Sequence, residues 1–343
     1  MKPLGFGIIG CGGIAITHVA GIKGAEGAEL VAVYDAVPER AQEFAEKYGP
    51  AEVCRDYHQL LARPDVDVVN ICTPSGLHGE ITMAAAKAGK HVMCEKPLET
   101  TVEKCDAMIR ACHEAGVKLG VILQSRTYPA TIKVKKAIDE GKFGTLTMGD
   151  MNLKWYRSQE YYDRGGWRGT WKFDGGGALM NQGIHGVDVL QYLMGPVESV
   201  CAYADTLGHR METEDTVVAA VRFRNGALGC IEATTTAYPG VDRRIEIAGT
   251  KGTVALVEDD IAFWKLEGDD EEITGVGTRH SDQAADPLAG LGAGHLAQIE
   301  DMIAAIREDR APLVTGEDAL PSVEIITAIY ESARTGKMVK LRG

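Results

Sequence analysis

The sequence has no apolar stretch long enough to cross a bilayer; its hydrophobic runs are short and interrupted. It has no excess of positive charge either. Lys and Arg number 36 against 49 Asp and Glu, a formal net charge of −13, and the basic residues are scattered. A polyanion partner needs a basic stripe to displace counterions from phosphates, so nucleic acid and anionic membrane surfaces are excluded as partners. A local arginine cluster could still hold a small anion. Cysteine is present but unpatterned: eight residues form no Cys-x-x-Cys and no metal-ligand spacing. Cys54, Cys72, Cys94 and Cys201 lie in apolar or strand-like runs. That predicts reduced, buried thiols in a cytoplasmic enzyme, without disulfides or metal. Internal repeats and low-complexity tracts are missing. The opening MKPLGFGIIG lacks the zones of a secretion signal.

Glycine, by contrast, is plentiful: 41 of 343 residues, many at strand-to-helix junctions. That fits an α/β fold with tight turns. The length suffices for two domains. Apolar strands at 4–9, 29–35, 66–73, 91–95 and 118–123 alternate with helical runs at 14–23, 38–48, 78–88 and 101–115, the pattern of a doubly wound parallel sheet. Beyond about residue 125 the pattern changes. A helix at 130–140 is followed by strand-like runs at 145–156, 198–207, 216–224, 227–235, 244–248, 253–257 and 261–266. Asn225-Gly226 marks a hairpin between two of them. A helix at 183–194 interrupts the series, and helices near 294–307 and 318–335 close the chain. The stretch GTRHSDQAADPLAGLGAG reads as a mobile surface loop. The expectation is α/β followed by α+β: a cofactor-binding domain over 1–125, then a substrate-binding and oligomerisation domain over 126–343. The second is built on an open, mostly antiparallel sheet with helices on one face, its closing helices able to pack back on the first domain.

Gly10-Cys11-Gly12-Gly13-Ile14-Ala15 follows the first strand and opens the first helix, a G-x-G-x-x-A fingerprint. The first glycine makes the turn, the second admits a pyrophosphate to the backbone, and the alanine allows close helix–strand packing. The helix N-terminus offers amides and a partial positive charge to the phosphates. Asp35, at the end of the second strand, is placed to accept from ribose hydroxyls and to repel a 2′-phosphate. The cofactor of this Rossmann-type domain is therefore expected to be NAD rather than NADP. Arg40 reads as a solvated helix residue.

Glu95-Lys96-Pro97 sits just past a strand, at the carboxyl edge where open α/β sheets bind ligands. A lysine there can donate a charge-assisted hydrogen bond to a substrate oxygen. GGGALMNQGIHGVDVL (175–190) places Asn181 and His185 four apart on one helix face, with Asp188 a turn beyond. Three glycines would let the helix start against a crowded neighbour, such as a nicotinamide. An imidazole suits proton transfer from an alcohol near neutral pH. The plainer alternative is a buried histidine satisfied by Asp188; Lys96 tilts the reading toward catalysis.

These segments resemble the glucose–fructose oxidoreductase/inositol dehydrogenase (Gfo/Idh/MocA) family. The matching stretches are GCGGIA, NICTPSGLHGEITMAAAKAGKHVMCEKP, GGWRGTWKFDGGGALMNQGIHGVDVL and AIYESARTGK, nearly end to end. The resemblance implies a Rossmann domain, then a domain whose open sheet mediates oligomerisation, here a homodimer or homotetramer. It also implies Lys96 as the substrate-polarising lysine and His185 as acid/base. Thr73, Pro74 and His78 fall near the nicotinamide ribose, alongside Glu95. Arg126, Arg157, Tyr161, Trp167 and Arg168 fall on the substrate side, although Trp167 and Trp171 could equally be core aromatics. Asn181 departs from many sugar and cyclitol dehydrogenases of the family, which carry Asp there. Asn positions a hydroxyl but accepts no proton.

Three functions follow. The first is a dehydrogenase moving hydride between NAD and a secondary hydroxyl or ketone of a sugar, sugar derivative or nucleotide sugar. The second is an NAD-dependent glycosidase or lyase that oxidises transiently, eliminates and reduces back. The third is a sensor of NAD and sugar, for which Lys96 and His185 would be superfluous. Net NADH separates the first two.

Overall fold

The computed structural model describes residues 2–49, 51–274 and 293–342. The stretch read as a mobile loop lies almost wholly outside these residues. The chain divides into two compact units, Met1–Gln124 with Gly290–Leu320, and Ser125–Ala289 with Pro321–Gly343.

Among the described residues, the first unit carries six strands: β1 (Leu4–Ile9), β2 (Ala28–Tyr34), β3 (Glu52–Val53), β4 (Val68–Ile71), β5 (His91–Cys94) and β6 (Leu119–Val121). Their order is β3-β2-β1-β4-β5-β6, every pairing parallel. The order in which strands are added reverses between β1 and β4, and that switch point is where open α/β sheets open a ligand crevice. The strands read as continuous apolar runs because helices cover both faces. Phe6, Ile8, Val33, Val68, Met93 and Ile122 form a core with Val19 and Ile22 of helix α1 (Ala15–Gly24). Ile299, Met302 and Ile303 complete it from the helix Ala293–Arg307.

The second unit holds β7 (Leu146–Tyr156), β8 (Val197–Asp205), β9 (Thr216–Phe223), β10 (Leu228–Thr234), β11 (Thr236–Gly249), β12 (Gly252–Val257), β13 (Asp260–Leu266), β14 (Glu272–Thr274) and β15 (Val339–Lys340). The order is β14-β13-β12-β11-β7-β10-β9-β8-β15. All neighbours are antiparallel except β7 and β10, which run parallel. Gly226, at φ 91°, makes the β9–β10 turn as Asn-Gly predicts. The helix Ile184–Met194 packs on β7 and β11. On β9, Val217, Ala219, Val221 and Phe223 are buried while Val218, Ala220 and Arg222 face outward.

The eight cysteines are free. Cys201, expected to be buried, is exposed, because it lies on the outward register of β8 opposite Ala220. No described helix is long and apolar enough to cross a membrane.

Candidate active site

At the carboxyl end of β1, Gly10 adopts φ 96°, and a Cβ there would sit 2.7 Å from the Cys72 carbonyl oxygen. Glycine is required by both conformation and space. The Cβ position of Gly12 has no protein atom within 4 Å, so room is left beside the backbone. Helix α1 starts with no side-chain cap and no acidic residue in its first turn. An uncapped N-terminus above an open glycine suits a bound pyrophosphate. Thr73 Oγ1 is buried with no hydrogen-bond partner among the described residues, as a group awaiting a ligand would be. The chain's own groups thus fit a dinucleotide.

Asp35 is buried. It accepts from the Cys11 and Val37 amides, each at 2.8 Å. The Arg40 side chain is exposed on its helix, as expected, and its Nη1 also donates to both Asp35 oxygens, at 3.2 and 3.3 Å. Burial pushes the Cys11 thiol up to about 12, so it is an inert protonated group. His78 is buried, with ring nitrogens 2.9 Å from the Pro97 carbonyl and 3.0 Å from the Thr73 carbonyl. It therefore ties the Thr73-Pro74 turn to the Lys96-Pro97 turn, whose peptide is cis.

Glu95, the residue immediately after β5, is a buried carboxylate. Burial alone would raise its pKa, but hydrogen bonds from His18 and His295 outweigh that and hold it well below the usual carboxylate range. Its Oε2 accepts the Lys96 amide at 3.1 Å.

In the second unit the glycine run meets protein rather than open space. A Cβ on Gly176 would overlap the Tyr330 hydroxyl, and one on Gly177 would overlap the Glu214 carbonyl. Glu214 Oε2 accepts from the Gly177 amide at 3.0 Å. Its Oε1 accepts from the Leu179 amide and the Tyr330 hydroxyl, each at 2.8 Å. Burial pushes the Glu214 carboxyl up to about 7 against these donors. The chain then runs through a π-helical turn, Ala178–Gly183, into the helix Ile184–Met194. Widened turns of this kind recur at functional sites. From Gly175 to Leu190, every residue is buried except Asn181 and His185. Asp188 turns away to Arg126, at 2.7 and 2.8 Å, and to Ser322, at 2.9 Å.

Asn181 Nδ2 donates to Asp174, and its Oδ1 accepts from Gln182 at 2.9 Å. Gln182 also reaches the Tyr161 hydroxyl at 2.9 Å and accepts from Arg157 at 2.8 Å. Arg168 stacks on Tyr161 and Trp167, 4.7 Å from each ring centre. Arg157, Tyr161, Trp167, Arg168 and Asn181 therefore form one connected group. Arg126 stands apart, buried with Asp188 and stacked on Tyr192. Trp171 is no core aromatic: it is 48% exposed and meets Tyr330 edge-on. Arg164 pairs with Glu160, Arg243 with Asp259, and Arg244 with Glu246. Arg279, another arginine that could serve an anionic group, lies outside the described residues.

Sequence reasoning missed Asp174, Gln182, Glu214, Tyr330, His18 and His295. Asp174 precedes the glycine run and Gln182 follows Asn181, so both could have been weighed; Tyr330 lies within the matching AIYESARTGK. His295 carries no local signal.

Residues 4–123 match the family model for the NAD-binding Rossmann fold of this oxidoreductase family, and residues 135–341 match its C-terminal alpha/beta domain. The chain is 41% identical to the WlbA dehydrogenase from Bordetella pertussis, solved with NADH and UDP-GlcNAcA. That structure matches with TM-score 0.89, covering 100% of this chain and 99% of that one. WlbA from Chromobacterium violaceum, solved with the same two ligands, is 38% identical with TM-score 0.88, covering 100% and 97%. Myo-inositol 2-dehydrogenase from Thermotoga maritima is 31% identical over 348 residues, 98% of each chain. With its fingerprint glycines, its six parallel strands and its open mixed sheet accounted for, the chain belongs to the Gfo/Idh/MocA oxidoreductase family, with NAD as its cofactor.

Proposed function

We propose that this chain is a dehydrogenase that removes hydride from a secondary hydroxyl of a nucleotide-linked sugar acid, UDP-GlcNAcA or a close analogue. The observation that carries this reading is the end-to-end similarity, at 41% and 38% identity, to two proteins solved with NADH and that nucleotide sugar. The cationic and aromatic group of Arg157, Tyr161, Trp167 and Arg168 supports it. Guanidinium forks and ring faces suit a carboxylate or phosphate beside a sugar ring.

Lys96 donates to the substrate oxygen, and His185 takes the hydroxyl proton. Asn181 orients the hydroxyl, held in turn by Asp174 and Gln182. The nicotinamide, when bound, accepts the hydride. The substrate carbinol thereby loses its C–H hydrogen as hydride and its O–H hydrogen as a proton, and becomes a ketone. Asp174 is fully buried and already accepts from Asn181 and from the Gly169 amide. It is poorly placed to assist a leaving group, so net oxidation is favoured over oxidation–elimination.

The test is a screen of UDP-GlcNAcA, UDP-GlcNAc, myo-inositol and free glucose with NAD, read by near-ultraviolet absorbance. Stoichiometric NADH with UDP-GlcNAcA is expected. A preference for inositol or glucose would overturn the substrate class. Release of UDP without net NADH would promote elimination.

Cofactor choice gives a second expected result. Asp35 accepts from the ribose and repels a 2′-phosphate, so NAD should bind more tightly than NADP. Asp35→Ser should weaken NAD and relax the preference, since Arg40 is then released toward a 2′-phosphate. Fluorescence titration of both cofactors reads this; a wild type that favours NADP would remove Asp35 from the role.

The outward face of the second sheet exposes Tyr203, Val218, Leu228 and Met148, too apolar for a face left to water. A second copy is its proposed cover, giving a dimer or a two-fold tetramer. Light scattering at micromolar concentration checks this, and a monomer counts against it.

A further inference from the structure

Three side chains not claimed by the reaction meet inside the first unit. Glu95 Oε1 lies 2.9 Å from His18 Nε2 and 3.2 Å from His295 Nε2. All three residues are buried. His18 comes from helix α1 and His295 from a helix 200 residues beyond Glu95 in sequence. Asn70 Nδ2 stands 2.8 Å from His18 Nδ1. A donor there makes Nδ1 an acceptor and leaves the His18 proton on Nε2, directed at Glu95. His295 Nδ1 has no partner among the described residues. A buried N–H without an acceptor costs more than a bare nitrogen, so this ring too carries its proton on Nε2. Both rings therefore direct an Nε2–H at one buried carboxylate, and its remaining oxygen accepts the Lys96 backbone amide.

An apolar core has no need of such a group. Burying a carboxylate is costly unless donors surround it, and here the donors come from three separate segments. They converge on the residue that immediately precedes Lys96.

We infer that His18 and His295 are positioning residues for Lys96, acting through Glu95. The inference rests on the reading of Lys96 as the substrate-polarising group. The same ligand atoms lie within 4.8 Å of one another, the spacing of a possible metal site. Metal-bound imidazoles, however, donate their second N–H to an acceptor. His295 Nδ1 has none, and His18 Nδ1 faces a donor, so the hydrogen-bonded cluster is the better account.

The experiment is a double-mutant cycle, run with whichever sugar substrate the wild type oxidises. His295→Leu should lower kcat by about 10–100-fold, a loss on the scale of removing the outer hydrogen-bond partner of a metal-ligating histidine. NAD affinity, by fluorescence titration, should change by less than about twofold, since nothing at the fingerprint is altered. His295→Gln, whose amide still donates to Glu95, should restore most of kcat. On a Lys96→Ala background His295→Leu should cost nothing further. Equal losses on both backgrounds, an unchanged kcat in His295→Leu, or a stoichiometric divalent ion by mass spectrometry that His295→Leu removes would each overturn the inference. If Lys96→Ala itself keeps full turnover, it is the role of Lys96 that fails. Should His295→Leu not fold, His18→Leu and His18→Gln repeat the comparison.

Discussion

Lys96→Ala is expected to lower turnover by about 10²–10⁴-fold, and His185→Ala by a similar factor, the usual range for removing a group that handles a proton in the transition state. NAD binding should survive both changes, because the fingerprint, Asp35 and the uncapped start of α1 are untouched. Steady-state kinetics and a cofactor titration on the same preparations separate the two effects. A loss confined to KM would mean that Lys96 only binds substrate. For His185 the prediction draws on exposure as well as chemistry. In a buried sixteen-residue segment only Asn181 and His185 are half-buried rather than buried, and Asp188, the structural partner a buried histidine might have had, holds Arg126 and Ser322. Near-normal turnover in His185→Ala would remove it from the mechanism. Asn181→Asp is the informative companion. It keeps the size of the side chain but sets a carboxylate against Asp174, the present acceptor of the Asn181 amide. It should cost more than a purely steric view of Asn181 allows, and less than Asn181→Ala if hydroxyl orientation is what matters.

Asp188→Ala should be the most destabilising single change considered, by about 3–5 kcal/mol, because it strands a buried guanidinium. Arg126 is 8% exposed and Asp188 fully buried, and the pair is bidentate. Chemical denaturation, by the fall in unfolding midpoint, measures the effect. Arg126→Met combined with Asp188→Leu should recover much of the loss, since a buried pair exchanged for apolar groups of similar volume is often neutral. If Asp188→Ala alone is harmless, the pair is not the anchor its geometry describes. The exposed Arg164–Glu160 pair is the control, and its loss should hardly register.

The first unit was largely legible because its signals are local. A glycine fingerprint between strand and helix, an acid at the end of the next strand and alternating apolar runs each depend on residues close in sequence. The Asn225-Gly226 hairpin was legible for the same reason. The glycine run was read correctly as a crowded start, but the crowding comes from Tyr330 and Glu214, which only the folded chain brings near. The π-helical turn was not legible: the spacing put Asn181 and His185 on one α-helix, whereas Asn181 lies in the π turn and His185 opens the α-helix that follows. The parallel β7–β10 pairing was beyond reach, because strand runs and turns fix neighbours in sequence rather than distant ones. Arg40 is exposed on its helix, as read, but its long side chain also folds back onto an acid five residues earlier, which spacing alone did not show.

The discontinuity of the first unit has a consequence for how the chain is made. Its six strands are complete once residue 121 has been synthesised, yet the helix that closes its core and carries His295 is encoded some 170 residues later. On the ribosome, the nascent cofactor domain must wait, with the Ile299, Met302 and Ile303 side of its core uncovered and Glu95 short of one donor, while almost all of the second unit emerges. The part that begins first is finished nearly last, so a premature stop before residue 290 spoils the amino-terminal half of the protein as surely as the carboxyl-terminal half.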